Sequence, residues 1–283
     1  MSAVEAAALR DLALEVARDA AALVRDRRTG GVTVADTKSS SVDVVTEADR
    51  ASEDLIRRRL LEARPDDSVV GEEGDDHVGS SGVRWVVDPI DGTVNYLYGL
   101  PEYAVSIAAE AAGEVVAGAV LNVATGVEYA AARGQGATRD GVPLRVRPSP
   151  PVAQRLILTG FGYRTDVRAG QAERVARMLP KVRDIRRMGS CALDLCHVAE
   201  GSADGYVEEG PNTWDWSAGS LVATEAGARF ELLPGTLAAE LGEPGRTVLT
   251  AAPADGWDDF VQLLEECGFV RPKPTSPSPS EVE

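Results

Sequence analysis

The sequence predicts an α+β N-terminal half built round an antiparallel sheet, followed by an α/β C-terminal half of mixed strands and helices. Three observations carry this expectation. Helical stripes of apolar residues open the chain, and short strand-like runs separated by Gly-bearing turns then fill residues 68–131. Past the segment RVRPSPPV the rhythm changes to alternating strands and helices.

The elements follow in order. Leu9, Leu12, Val16, Ala20 and Leu23 form one helical stripe between Val4 and about Val24, which Gly30-Gly31 ends. Thr46, with Asp49 three residues on, announces a second helix through Leu55, Ile56, Leu60 and Leu61 that stops before Pro65. Strands are expected at Ser68–Gly71, Val83–Val87, Tyr103–Ala109, Val115–Leu121 and Val127–Ala131. The prolines of Arg145–Val152 mark a linker, giving an N-terminal half at 1–147 and a C-terminal half at 153–270. In the second half, strands are expected at Leu156–Thr159, near Arg183–Arg187, at Gly205–Val207, around Phe230 and at Thr247–Ala251. Helices fall at about Ala169–Leu179, from Ser190, at Trp214–Ala226 and from about Trp257 to Cys267. The Pro/Ser-rich end, 271–283, is expected to be a disordered tail.

Composition narrows the function classes. The 283 residues carry a net charge of −16, which argues against a surface made for nucleic-acid phosphates or an anionic membrane. No stretch approaches the roughly 20 apolar residues of a membrane helix, and Glu5 and Asp11 stand where a signal peptide is basic and then apolar. A soluble cytoplasmic protein is expected. Three cysteines (Cys191, Cys196, Cys267) fit reduced thiols, and only two histidines (His77, His197) speak against a His-rich metal site. With 45 Asp and Glu, any bound metal should be hard and oxygen-liganded.

The chemistry gathers in WVVDPIDGT. An apolar strand runs into Asp88, and the Pro89 turn can bring Asp91 and the Ile90 carbonyl into the same space, as two close hard cations require. Gly92 and Thr93 follow with backbone N–H groups and a hydroxyl suited to phosphate if a helix starts there. Taken alone, the segment is also an ordinary turn with capping aspartates. Glu72 and Glu73 end the apolar run Val69-Val70, and Asp215 opens a helix, where an acid also suits the helix dipole. Acids at apolar-strand ends or a helix start, in three parts of the chain, are harder to dismiss jointly.

WVVDPIDGTVNY, with GEE upstream and Glu208 followed by Trp214-Asp215 downstream, resembles the inositol monophosphatase family of magnesium-dependent, lithium-sensitive sugar-phosphate phosphatases. The match includes KSSSVDVVTEAD and Gly189-Ser190-Cys191-Ala192, in family order, from about Lys38 to Gly227. The resemblance implies a layered α-β-α-β-α sandwich with its site between two sheets. It implies that Glu72, Asp88 and the Ile90 carbonyl hold one Mg2+, that Asp88, Asp91 and Asp215 hold a second, and that a weaker third sits near Glu72, with Mn2+ a substitute. Water activated with help from Glu72 and Thr93 would attack phosphorus directly, with Asp49 holding Thr93 and the Gly92 and Thr93 N–H groups cradling the phosphate. Lys38 would lie near the outer metal, with Asp43 as a further accessory residue. Asp91, Ser190, Cys191, Glu208 and Asp215 would surround the substrate's hydroxyls.

Elementary chemistry agrees: phosphoryl transfer needs charge neutralisation more than covalent help, and a two-metal clamp supplies it without His or Cys. Glu208, placed at the substrate by the resemblance and paired with Asp91, is an acceptor that suits a polyol such as inositol; the resemblance makes myo-inositol-1-phosphate the expected substrate. Histidinol phosphate, whose amine Glu208 would equally receive, is the alternative, followed by fructose-1,6-bisphosphate and a nucleotide 3′-phosphate. The resemblance also implies a homodimer. Some bacterial members act through partners in RNA-polymerase-associated complexes, so a protein-partner-binding regulator with weak catalysis is the reading from another class. Cys191 departs from the small aliphatic residue expected there and reads as packing. Arg57-Arg58-Arg59 reads as a solvated helix face, His197 as packing or surface, and Trp214 and Trp216 as core anchors.

Overall fold

The computed structural model describes residues 1–29, 34–37, 44–241 and 247–271; Lys38, Asp43 and nearly all of the Pro/Ser tail lie outside them. The N-terminal half contains α1 (Ala3–Thr29), β1 (Val34–Thr37), β2 (Val44–Thr46), α2 (Glu47–Ala63), β3 (Ser68–Gly71), β4 (Val83–Asp91) and α3 (Thr93–Tyr98). It continues with β5 (Ala104–Ala111), β6 (Glu114–Asn122), β7 (Glu128–Ala132), β8 (Ala137–Arg139) and β9 (Val142–Pro143). The C-terminal half holds β10 (Leu156–Thr159), α4 (Thr165–Met178), β11 (Asp184–Arg186), α5 (Cys191–Ala199), β12 (Gly205–Glu209) and α6 (Thr213–Glu225). It ends with β13 (Ala228–Pro234), α7 (Leu237–Glu240), β14 (Thr247–Pro253) and α8 (Trp257–Cys267). Strands β8 and β9 were not among the expected elements.

Strands β3 to β9 form a seven-stranded sheet in chain order. The expectation of an antiparallel sheet needs one correction: β3 runs parallel to β4. Past Gly71 the chain doubles back, Val69 and His77 exchanging both backbone hydrogen bonds at 2.9 Å. It therefore reaches Val83 at the end from which β3 set out. The second sheet, ordered β11-β10-β12-β14-β13, is mixed: β10 is parallel to both neighbours, and β14 is antiparallel to both of its own.

Alternation along the strands builds the layers. In β4, Trp85 and Val87 face a core made with Leu9, Val16 and Ala20 of α1 and Ile56 and Leu60 of α2, while Val86 faces the opposite side. There it meets Leu195 of α5 and Leu221 and Val222 of α6, whose cluster also contains Tyr206 and Leu249 of the second sheet. A third cluster joins Ile157, Val207 and Val248 to Met178 of α4 and to Phe260 and Leu264 of α8. The result is the α-β-α-β-α sandwich, with α5 and α6 as its middle layer. The Pro-rich connection is tied along its course: the Val146 N–H donates to Ala226 at 3.0 Å, and Arg147 pairs with Asp204 at 2.6 Å.

Arg57 and His197, read as a solvated face and as packing or surface, are anchored by carboxylates. Arg58 is exposed as expected, but Arg57 turns inward to Glu53, 2.7 Å away. His197 stands between Glu102 at 2.6 Å and Glu200 at 3.1 Å. Burial lowers its pKa, but these two carboxylates outweigh that and push it up to about 10. Trp216 packs on Phe230 as a core anchor, with ring centroids 5.5 Å apart. All three cysteines are buried and free. Among the described residues no helix is long and apolar enough to cross a membrane.

Candidate active site

A cleft of about 360 Å³ lies where the last residues of β4 meet the ends of β10 and β12 and the start of α6. Asp88 and Asp91 are three apart, a spacing that in a regular strand would send them to opposite faces. The β4–β5 register shows why they converge. Asp88 pairs with Ser106 and Asp91 with Ala104, so a bulge at Pro89-Ile90 turns the strand between them. Gly92 then takes φ +90°, and a Cβ there would stand 2.9 Å from the Glu102 carbonyl. Only glycine fits that turn. The chain goes straight into α3, with Gly92 as its N-cap.

Carboxylate oxygens of Asp88, Asp91 and Asp215 lie within 4.8 Å of one another. Asp215 comes from the first turn of α6, where it also accepts the Asn212 N–H at 2.5 Å, so it serves both the helix end and the cleft. Glu72, just past β3, lines the same space. Burial first, and then the charges of Glu72, Asp91 and Asp215, push Asp88 well above the usual carboxylate range. Burial, Asp91 and Glu72 do the same to Asp215. Asp91 is raised by burial to about 6, the rise being opposed by the Ser190 hydroxyl, the Ala192 and Cys191 N–H groups and Arg187. Mutually repelling buried carboxylates call for cations, and an all-oxygen donor set fits hard ones. A divalent metal fits these residues.

The supporting contacts are specific. The Ile90 N–H donates to Asp88 Oδ1 at 3.0 Å. The Thr93 hydroxyl lies 3.0 Å from both Asp49 Oδ1 and the Ile90 carbonyl. Asp49 is buried behind the cleft, its pKa raised by burial to about 6 against the opposing Thr46 and Thr93 hydrogen bonds. Ser190 does not face the cleft as expected. Its hydroxyl and the Ala192 N–H both go to Asp91 Oδ2, at 2.6 and 2.7 Å, so the start of α5 orients a carboxylate. Cys191 does line the cleft. Glu208 is gripped by the Tyr206 hydroxyl, which donates to Oε2. Its carboxylate also fills the space beside Gly160, where a Cβ would come within 1.8 Å.

Sequence reasoning missed the wall made by Gly160, Phe161, Gly162, Tyr163 and Arg164, together with Arg187. A signal was available: the loop follows β10, and open α/β sheets bind ligands at the carboxyl ends of their parallel strands. Trp214, expected as a core anchor, also reaches the cleft.

Comparison with known proteins identifies the family. The sequence profile of the Inositol monophosphatase family matches residues 5–257. Inositol-1-monophosphatase SuhB of Mycobacterium tuberculosis is 44% identical over 288 residues, covering 95% of this chain and 98% of that protein. The solved structure of Mycobacterium tuberculosis SuhB superposes with a TM-score of 0.79 at 42% identity, covering 94% of this chain and 98% of that one. Nus factor SuhB of Pasteurella multocida is 39% identical over 193 residues, 68% of this chain and 72% of that protein. Fold and sequence agree along almost the whole chain: it belongs to the inositol monophosphatase family, whose members are metal-dependent phosphoric monoester hydrolases.

Proposed function

We propose that the protein hydrolyses a small sugar or polyol phosphate monoester with Mg2+, and that myo-inositol-1-phosphate is its substrate. The observation that carries the reading is the convergence of Asp88, Asp91 and Asp215, beside Glu72, at one end of a cleft whose other wall presents Glu208. In this reading Glu72, Asp88 and the Ile90 carbonyl hold one ion, and Asp88, Asp91 and Asp215 the other. Bound magnesium would supply a nucleophilic water at neutral pH and neutralise charge on the leaving oxygen.

The chain's own groups do the rest. Asp49 holds the Thr93 hydroxyl beside the Ile90 carbonyl, where with Glu72 it orients the attacking water. The Gly92 and Thr93 N–H groups, at the start of α3, receive the phosphate oxygens. As the water oxygen bonds to phosphorus, the ester P–O bond opposite it breaks; the attacking water gives up a proton, the departing alkoxide takes one up, and alcohol and inorganic phosphate leave with no phosphoenzyme formed. Glu208, fixed by Tyr206, accepts hydroxyl protons of the polyol, with Asp91 and Cys191 bordering the same space.

Histidinol phosphate is the alternative substrate, since Glu208 would take its amine equally well. A partner-binding role is the second reading, favoured by the name Nus factor carried by the Pasteurella relative. A homodimer is likewise proposed from family membership. The test of substrate is phosphate release with magnesium, compared as kcat/KM over inositol-1-phosphate, histidinol phosphate, fructose-1,6-bisphosphate and adenosine 3′,5′-bisphosphate. Inositol-1-phosphate should lead. A lead by histidinol phosphate moves the assignment, and a folded protein silent on all four leaves the partner-binding role.

A further inference from the structure

Helix α2 carries Asp49, Ser52 and Glu53 at the i, i+3, i+4 spacing that lines residues along one stripe. All three are buried, Glu53 at 2% exposure. Each grips a different point at the edge of the cleft. Asp49 holds Thr93, and the Ser52 hydroxyl donates to the Pro89 carbonyl at 3.1 Å, inside the bulge that joins Asp88 to Asp91. Glu53 reaches the other carboxylate segment. Its Oε2 accepts the Glu73 N–H and its Oε1 the Gly74 N–H, both at 2.8 Å, directly after Glu72. One rigid stripe therefore holds both of the segments that bring acids into the cleft from the first sheet.

The grip is built as a charged unit. Arg57, one turn further along α2, donates to Glu53 Oε1 at 2.7 Å. Its guanidinium also donates to the carbonyls of Asp75 at 2.9 Å and Gly74 at 3.2 Å. On the other side the absent side chain of Gly71 leaves the room: a Cβ there would lie 2.5 Å from Glu53 Oε1. A buried carboxylate is costly unless paired and fully hydrogen-bonded, and here it is both. A loop tip that needed only a generic shape would not require such an arrangement.

We propose that Glu53, backed by Arg57, is a positioning residue that sets how far Glu72 stands from Asp88, and through that the affinity for the cation Glu72 serves. The inference rests on the metal-dependent reading of the cleft. The experiment is Mn2+ binding to the whole protein without substrate, followed by the EPR signal of free Mn2+. It compares wild type, Glu53→Gln, Gly71→Ala and, as control, Glu62→Gln on the exposed face of the same helix. In Glu53→Gln one Mn2+ site should weaken by roughly 10–100-fold, the scale of losing a partner that orients a ligand, while the other holds. Gly71→Ala, which keeps both charges but presses on the carboxylate, should weaken the same site less, and Glu62→Gln should match wild type. Substrate KM at saturating metal should stay unchanged in Glu53→Gln. A folded Glu53→Gln with both wild-type affinities overturns the proposal, and so does equal weakening of both sites. If Glu53→Gln does not fold, Gly71→Ala decides by the same criteria. A wild-type protein that binds no Mn2+ overturns the metal reading itself.

Discussion

The two walls of the cleft are built differently. On the side of the first sheet, Glu72, Asp88 and Asp91 sit at strand ends and are braced from behind by α2 and by the start of α5. On the other side, Glu208 projects from β12 beside the loop Gly160–Arg164 and accepts from the Tyr206 hydroxyl. The first wall concentrates negative charge against burial. The second presents Glu208 and Glu209 among glycines, aromatics and two arginines. A cluster that must hold cations needs fixed oxygens, whereas a wall that meets an alcohol needs shape. In the proposed reading the first wall serves chiefly the cations and the second chiefly the alcohol.

The separation can be broken at its strongest point first. Asp91→Asn removes a charge from the metal wall while preserving shape, and kcat should fall on the order of a hundred- to a thousandfold. Phosphate release and circular dichroism on the same sample check this; a folded variant with near-full activity removes Asp91 from the mechanism.

Magnesium comes next. Because binding to the folded state alone stabilises it, magnesium at about 100 times its Kd should add about 2.7 kcal/mol. That corresponds to a Tm roughly 4–6 °C above the value in chelator. The shift should shrink sharply in Asp91→Asn, and identical behaviour of the two proteins would count against a metal site.

His197 tests how the walls are joined, since it links α5 to Glu102, just ahead of β5. Its folded pKa, about 10, lies above the ordinary 6.5, so its contribution to stability is complete below pH 6.5 and is lost as pH rises toward 10. Between pH 6.5 and 8.5 the wild type should lose about 2 kcal/mol that His197→Gln does not lose. Urea unfolding at the two pH values measures this, and parallel profiles would contradict it. The smallest effect is on the second wall. Tyr206→Phe removes the hydroxyl that donates to Glu208, and KM for inositol-1-phosphate should rise about tenfold, the scale of one hydrogen bond to a charged group, with the magnesium Tm shift unchanged. A fall in kcat at constant KM would place Tyr206 on the wrong wall.

Legibility in the sequence followed the same division. The metal wall is written locally: DPIDG holds two carboxylates and their turn in five consecutive residues, and Thr46 with Asp49 announces the helix that braces them. What stayed hidden there depended on contacts between distant segments. The bulge needs β5 as its reference, the parallel β3 depends on the Val69–His77 return, and Arg57 looked solvated until the loop after Glu72 folded over it. Ser190 had the right neighbourhood, but its hydroxyl was already taken by Asp91. The second wall is assembled from separated pieces. Glu208 was found through resemblance, while Gly160–Arg164 carries no motif and becomes visible only through its place at the end of β10.

The most direct test of the central claim is a crystal of the protein soaked with Mn2+ and examined for anomalous scattering. Two peaks sharing Asp88 are expected, one completed by Glu72 and the other by Asp91 and Asp215. A map with no peak at Asp88, from a crystal in which these four carboxylates are ordered, would contradict it.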